Sequence, residues 1–254
     1  MCESSQLAHA SLRFKVLGPL EVHSDGVLLQ PGPYKQRVLL GALLCRANTV
    51  IPFDQLLELI WDGHRPRTAR KNLHAYVSSL RKIIGSRISF WNQGYRLQAD
   101  ADELDLLRFD KLAAAGRAAR RGGDLEGGRL LLGESVRLWR DRALVDLAGN
   151  AFIADESDRL RNRYLAAYED WAELEILAGN LDALDRLSEL AAEHPFRERL
   201  VGATMTFLDK SGSRREALAY YESHRQVMAR ELGLDPSPVL QDLYKSIIVA
   251  WRRP

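Results

Sequence analysis

The 254-residue sequence predicts an α+β N-terminal part with small antiparallel sheets, followed by an all-α part. Three observations carry that expectation. Residues 12–29 alternate apolar and polar around a tight-turn signal. Three amphipathic helical stretches and a second hairpin signal follow before residue 98. From residue 104 onward the apolar positions recur at helical spacing almost without interruption.

The run Leu12-Arg-Phe-Lys-Val-Leu-Gly-Pro-Leu-Glu-Val22 reads as a half-buried strand. Asp25-Gly26 is a hairpin turn signal, with Val27, Leu28 and Leu29 as the return strand. Pro31-Gly-Pro33 ends this sheet. Pro33 suits the first turn of a helix, where its missing N–H costs little, and that helix is expected over 34–47. Leu39, Leu40, Leu43, Leu44 and Ala47 form its apolar stripe. After Pro52, the residues Phe53, Leu56, Leu57, Ile60 and Trp61 fall on one helical face, and Gly63 stops that helix.

A third helix is expected from near Pro66 to Gly85. Ala69, Leu73, Tyr76, Val77, Leu80 and Ile84 make its core face. At about 100° per residue the opposite face carries Thr68, Lys71, Ala75, Ser78 and Lys82. Arg67, Asn72, His74 and Ser79 flank that face, and Arg70 and Arg81 lie nearer the buried edge. Ile88 to Leu97 then reads as a hairpin with Asn92-Gln93-Gly94 at its tip.

Charge singles out the same region. The net charge of +2 divides into +6 over residues 1–100 and −4 over 101–254. Between Arg65 and Arg96 stand eight basic residues and no acid. A charge run alone is most often a solvated face. Here cations, hydroxyls, amides and small residues share one helix face, a chemistry suited to phosphates and base edges in a groove. A basic helix followed by a hairpin is the layout of a winged helix-turn-helix, in which the helix enters the major groove and the wing touches backbone or minor groove.

On this basis Arg67, Lys71, Asn72 and His74 are expected to read bases. Thr68 and Ser78 line the groove face, and Arg81, Lys82 and Arg87 meet phosphates. Trp91, Asn92, Gln93 and Arg96 are wing contacts. Tyr95 is expected as a core plug whose hydroxyl reaches a phosphate. Lys35 and Arg37, at the start of the first long helix, are further backbone candidates.

The run Ala69-Arg-Lys-Asn-Leu-His-Ala-Tyr-Val-Ser-Ser-Leu-Arg-Lys-Ile-Ile-Gly85, with Gly94-Tyr-Arg-Leu97 behind it, resembles the OmpR-type winged-helix domain known from two-component regulators. With Phe14-Lys-Val-Leu-Gly-Pro-Leu20 in front, the chain resembles the Streptomyces antibiotic regulatory protein (SARP) family. The resemblance implies a winged-helix DNA-binding domain over residues 12–98. It implies binding to direct repeats in double-stranded promoter DNA near the −35 region, usually by two protomers side by side. It also implies contact with RNA polymerase and its sigma factor through the turn between the second and third helices, here Gly63, His64, Arg65 and Pro66.

Helices are expected over 104–121, 125–140, 150–177, 181–193, 196–210, 214–232 and 238–250. Ala178-Gly-Asn-Leu-Asp-Ala-Leu184 is echoed in Ser211-Gly-Ser-Arg-Arg-Glu-Ala-Leu218, with the glycines 33 residues apart, close to a tetratricopeptide period; Gly123-Asp-Leu-Glu-Gly127 is a possible earlier echo. Ala217-Leu-Ala-Tyr-Tyr221 with Glu231-Leu-Gly-Leu-Asp-Pro-Ser237 resembles the bacterial transcriptional activation domain, which the family places at 104–250. Larger relatives add ATPase or sensory domains, and the resemblance here runs to about Ala250 with no room for one.

Other classes fit less well. No Gly-x-x-x-x-Gly-Lys-Ser/Thr loop and no Gly-x-Ser-x-Gly elbow occurs, and the six histidines form no i, i+4 pair. No catalytic residue, metal site or cofactor is therefore expected. Most carboxylates of the second half are expected on exposed helix faces. Cys2 and Cys45 have no metal-type spacing, and Cys45 reads as a small buried side chain. No leader is evident over residues 1–10 and no apolar run reaches membrane-spanning length, so a cytoplasmic, nucleoid-associated protein without a membrane partner is expected. The full expectation is an activator of a secondary-metabolite gene cluster, a homodimer at least on DNA. The alternatives are a repressor with the same DNA-binding domain or a helical-repeat adaptor that does not bind DNA.

Overall fold

The computed structural model describes residues 11–252; the readings made on residues 1–10 lie outside them. The described chain contains six strands, β1 (Leu12–Lys15), β2 (Glu21–Ser24), β3 (Val27–Leu29), β4 (Ile51–Pro52), β5 (Ile88–Trp91) and β6 (Gly94–Leu97). Its helices are α1 (Tyr34–Cys45), α2 (Phe53–Trp61), α3 (Ala69–Ile84), α4 (Asp105–Arg121), α5 (Leu125–Arg137), α6 (Ala151–Ala178), α7 (Leu187–Glu193), α8 (Glu198–Lys210), α9 (Arg214–Leu232) and α10 (Pro238–Arg252). The chain forms two compact units. Among the described residues one holds 11–115 and 134–165, the other 116–133 and 166–252.

In the first unit, β1, β2 and β3 form an antiparallel sheet in that order, with Phe14 opposite Val22 and Val22 opposite Leu29. The expected single strand over 12–22 is instead two strands joined by a bend. Val16 and Leu17 are both buried, so strict alternation fails there. Their N–H groups donate to the Asp105 carboxylate at 2.9 and 3.0 Å instead of to a neighbouring strand. Gly18, at φ +149°, and Pro19 then turn the chain. Burial pushes the Asp105 carboxyl up to about 6, against the pull of those two N–H groups.

Leu39, Leu40, Leu43 and Leu44 of α1, Leu56, Leu57 and Ile60 of α2, and Leu73, Val77, Leu80 and Ile84 of α3 bury together as one core. α1 ends two residues earlier than expected, at Cys45, and Ala47 is only half-buried. Cys45 is half-buried overall, and the apolar surroundings of its thiol push it up to about 12. Residues 144–153 join this core. The side-chain tips of Leu144, Leu147 and Ile153 stand 3.3–3.5 Å from where a Cβ on Gly41 would be, so that glycine lets them pack tightly. Asn150 donates to the Leu59 carbonyl at 2.8 Å and accepts from the Ile153 N–H at 3.1 Å, capping the start of α6. α5 stops short of Arg140 because the Arg140 N–H goes to the Leu17 carbonyl at 2.9 Å.

In the second unit α7 packs on α8, α8 on α9, and α10 on both α8 and α9. Val201, Met205, Ala217, Tyr221, Leu240 and Ile247 form a shared core, with the Tyr221 and Tyr244 rings stacked at 4.2 Å. The sequence echo has a structural counterpart. Gly123, Gly179 and Gly212 all have positive φ, at 86°, 79° and 84°. The next residue in each case donates five positions back: Asp124 to Ala119, Asn180 to Glu175 and Ser213 to Leu208, at 2.9–3.0 Å. This is one Schellman ending used three times, and only glycine takes its left-handed position without strain. The helix expected over 181–193 divides into a 3₁₀ turn at Leu181–Leu184 and α7, where Asp182 and Asp185 are poor helix formers. Among the described residues no helix is long and apolar enough to cross a membrane.

Candidate nucleic-acid interface

The surface in question is built by α2, the turn after it, α3 and the β5–β6 hairpin. α2 ends with Asp62 in the left-handed region at φ 50° and Gly63 at φ 80°. Two such residues in succession reverse the chain tightly, which sets α3 at an angle to α2. Gly63, His64, Arg65 and Pro66 are all exposed on this turn. Arg65 is held there, donating to the Asp54 carbonyl at 2.9 Å and to the Glu58 carboxylate at 3.0 Å. α3 itself begins at Ala69 rather than Pro66, and residues 66–68 form a single turn.

The hairpin is a two-residue turn. Asn92 and Gln93 both have positive φ, at 45° and 60°, the backbone demanded by a type I′ turn. Gly94 is required for another reason. A Cβ there would stand 2.3 Å from the Ile51 carbonyl oxygen, because β4 pairs with β6 at that point. β4 is too short to show as a pattern, and this third strand was not expected. The Phe53 N–H donates to the Gln93 carbonyl at 2.9 Å, so the wing turn and the start of α2 are tied together.

α3 divides as its periodicity predicts. Ala69, Leu73, Val77, Leu80 and Ile84 are buried, and Tyr76 is half-buried with its ring stacked on Trp61. Thr68, Lys71, Ala75, Ser78 and Lys82 are exposed, as are Arg67 and His74. Among the described residues no carboxylate pairs with Arg67, Lys71 or Lys82. Asn72 is half-buried, its amide 3.3 Å from the Thr68 hydroxyl. Arg81 is exposed, and its Nε donates to the Ile88 carbonyl at 2.9 Å, joining α3 to β5. Trp91 is 63% exposed and stands beside Asn92 and Gln93, which are exposed too. Arg96 is half-buried opposite Ser89.

Three expected backbone contacts are engaged differently. Arg37 pairs with Asp146, and Arg87 with Glu103. The Lys35 ammonium lies over the Trp61 ring, 5.1 Å from its centroid. Tyr95 is buried at 4% exposure, and its hydroxyl is 2.8 Å from Nδ1 of His74. Two residues not expected at the site belong to this surface, one of them read from the sequence only as part of the apolar face of α2. Phe53 lies 5.0 Å from the His74 ring, and Phe90, 56% exposed, lies 5.2 Å from Tyr95. Phe90 and Tyr95 are cross-strand partners, so once the two-residue turn fixes the register they must share a face.

Comparison with known proteins agrees with this geometry. Residues 104–248 match the bacterial transcriptional activator domain, and residues 32–97 match the C-terminal domain of transcriptional regulatory proteins. The chain is 35% identical over 242 residues to the regulatory protein AfsR of Streptomyces griseus, covering 94% of this chain and 25% of that protein. It is 33% identical to the transcriptional regulatory protein EmbR of Mycobacterium tuberculosis, covering 93% of this chain and 63% of that protein. It is 30% identical to the regulatory protein DnrI of Streptomyces peucetius, covering 94% of this chain and 93% of that protein. The chain thus spans about a quarter of the length of AfsR and under two thirds of EmbR. The structure of EmbR in complex with a low-affinity phosphopeptide superposes with a TM-score of 0.89 at 32% identity, covering 95% of this chain and 66% of that one. A winged helix-turn-helix of OmpR type joined to a bacterial transcriptional activator domain, in a chain alike to DnrI over nearly the whole of both, makes this protein a member of the SARP family of transcriptional regulators.

Proposed function

We propose that the protein is a sequence-specific activator that binds direct repeats in promoter DNA near the −35 region and recruits RNA polymerase, controlling a secondary-metabolite gene cluster from the cytoplasm. Residues 12–98 form the reading segment and residues 104–250 the activation segment. One observation carries the reading: α3 and the turn leading into it present Thr68, Lys71, Ser78 and Lys82 on one exposed face flanked by Arg67, beside an exposed wing, with no acid between Arg65 and Arg96.

The N-terminal half of α3 reads bases through Lys71, Asn72 and His74, with Arg67 from the turn just before it, since that end of a recognition helix enters the groove most deeply. Lys82 and Arg81 meet phosphates from its other end. Trp91, Asn92 and Gln93 carry the wing contact. The exposed turn Gly63–Pro66, with Arg65 fixed by Glu58, meets polymerase or its sigma factor. Two protomers on adjacent repeats complete the assembly.

The test is a mobility-shift titration of the full chain on promoter fragments at several salt concentrations, followed by footprinting and transcription with purified polymerase. Binding that weakens steeply with salt, a footprint abutting the −35 element and more transcript are the expected results. A footprint with less transcript identifies a repressor. Salt-insensitive or absent binding identifies an adaptor and sinks the proposal.

A further inference from the structure

The hydroxyl of the buried Tyr95 ends 2.8 Å from one ring nitrogen of an exposed residue on the recognition helix. We infer that Tyr95 is a positioning residue that fixes His74 as its Nε2–H tautomer, so that α3 offers the duplex a hydrogen-bond donor at that point. Its target is then an acceptor: N7 or O6 of guanine, N7 of adenine, O4 of thymine or a phosphate oxygen. This inference rests on the reading of α3 as the element that enters DNA.

The argument begins with what a neutral imidazole can do. It carries one donor and one acceptor, and the bond made by one nitrogen decides the role of the other. Two arrangements satisfy the distance. Either the phenol donates to Nδ1, or Nδ1–H donates to the phenol oxygen. The second would leave the phenolic proton without an acceptor inside the protein, because no other hydrogen-bond partner of the Tyr95 hydroxyl occurs among the described residues. An unmet donor at a site this closed costs more than the alternative arrangement. Burial also raises the Tyr95 phenol above its ordinary range, only partly offset by the Arg81 charge, so the hydroxyl keeps the proton it donates. With the phenol as donor, Nδ1 is the acceptor and the ring proton resides on Nε2.

Packing holds the ring in this orientation. Phe53 lies tilted against it with centroids 5.0 Å apart, and Tyr95 meets it edge-on at 6.3 Å. Phe90 supports Tyr95 from the neighbouring strand at 5.2 Å. The position is one a reading residue needs. His74 follows Lys71 by three residues and precedes Ser78 by four, so the three share one row along the exposed face of α3. The row therefore offers a cation, a fixed donor and a hydroxyl in succession. A histidine without the phenol would present either a donor or an acceptor and would discriminate bases poorly.

The first measurement needs no DNA. Nitrogen-15 spectra of the histidine rings in the full chain, taken with the ring neutral and assigned with His74→Gln, report which nitrogen is protonated. A protonated Nε2 in the parent chain and a tautomer mixture in Tyr95→Phe are expected; a protonated Nδ1 in the parent overturns the inference. The second measurement is selection of bound sequences. Tyr95→Phe keeps the ring that packs on Phe90 and Phe53. It should weaken operator binding about tenfold, the lower range for one base contact. It should relax preference at the same base pair as His74→Ala, and the double variant should be no weaker than His74→Ala alone. The same coupling with uniform weakening on all sequences identifies the acceptor as a phosphate. Additive losses, or no loss in Tyr95→Phe where Lys71→Ala does weaken binding, overturn the inference. If Lys71→Ala is also silent, the reading of α3 fails and the role in DNA fails with it, whatever the ring spectra show.

Discussion

Helices α3 and α6 treat basic side chains in opposite ways. α6 gathers Glu169, Asp170, Glu173 and Glu175, and arginines from α4, α5 and the start of α8 close on them. Arg117 meets Asp170 at 2.6 Å, Arg120 meets Glu173 at 2.7 Å and Arg129 meets Glu175 at 3.1 Å. Arg197 meets Glu169 at 2.7 Å, and Arg199 spans Glu169, Asp170 and Glu173. Burial works to raise the Asp170 carboxyl, but hydrogen bonds from Arg199 and Arg117 outweigh it and hold the group below its usual range. That stabilisation is present at neutral pH and drains away as pH falls below the unfolded carboxylate value towards the lowered one. Along α3, by contrast, Lys71 and Lys82, with Arg67 just before the helix, stand exposed with no carboxylate partner among the described residues, while Arg70 pairs with Asp54 at 2.9 Å. A paired arginine must give up its carboxylate before it can neutralise a phosphate; an unpaired one exchanges only water and counterions. Counting charges therefore locates a nucleic-acid surface less well than asking which charges are already paired.

The comparison can be broken most severely from inside the winged unit. Leu73 is fully buried on the core face of α3. Leu73→Ala should cost about 2–5 kcal/mol of stability. DNA binding should then fall in step with the folded fraction in a thermal melt. A melt shifted by less than about 0.5 kcal/mol would mean that the face assignment is wrong. Next in size is the α6 cluster. Glu169 is buried between Arg197 and Arg199, but both arginines are partly exposed and can turn to water when it is removed. Glu169→Ala should therefore cost about 1–3 kcal/mol rather than the 3–5 kcal/mol of a closed pair. Its affinity and salt slope on DNA should match the parent below the melting range; a changed slope would mean the cluster takes part in phosphate contact after all.

The parts of the fold set by local pattern were legible in the sequence. The core and exposed faces of α3 follow from 3.6-residue spacing, and the Asp25-Gly26 turn from residues that accept positive φ. The three Schellman endings follow from a glycine closing each helical stretch, at Gly123, Gly179 and Gly212. What failed depended on distant partners. The break at Gly18 reflects N–H groups drawn to Asp105, 88 or 89 residues away. The two-residue β4 exists only because Gly94 lets it approach. Most carboxylates of the second half do stand exposed, as expected; Glu156, Glu169 and Glu175 are buried exceptions, because arginines far along the chain accompany two of them into the α6 cluster and Arg46 and Arg159 pair with the third. For the candidate site, exposure was readable and pairing was not. Nothing near Arg37 in sequence announces Asp146, and nothing near Arg87 announces Glu103.

That last contrast yields the smallest and most discriminating effects. Lys71 and Arg37 were both reasonable phosphate or base contacts by charge and position. Lys71 is exposed with no carboxylate partner among the described residues, so Lys71→Ala should leave the melting curve within about 0.5 kcal/mol of the parent. If it meets a phosphate, the slope of log affinity against log salt should drop by about 0.9; if it reads a base, one position of the site should lose about 1–3 kcal/mol of preference. Arg37 gives its guanidinium to Asp146 within the winged unit. Arg37→Ala should lower stability by about 1 kcal/mol, as for a partly exposed pair whose carboxylate keeps the Leu20 N–H as a donor. Affinity, salt slope and preference should all stay at parental values. Parallel salt titrations of the two variants decide the point. A reduced slope for Arg37→Ala with none for Lys71→Ala would reverse the rule that pairing state marks the binding face, because a cation already holding a carboxylate would then be the one that meets the duplex.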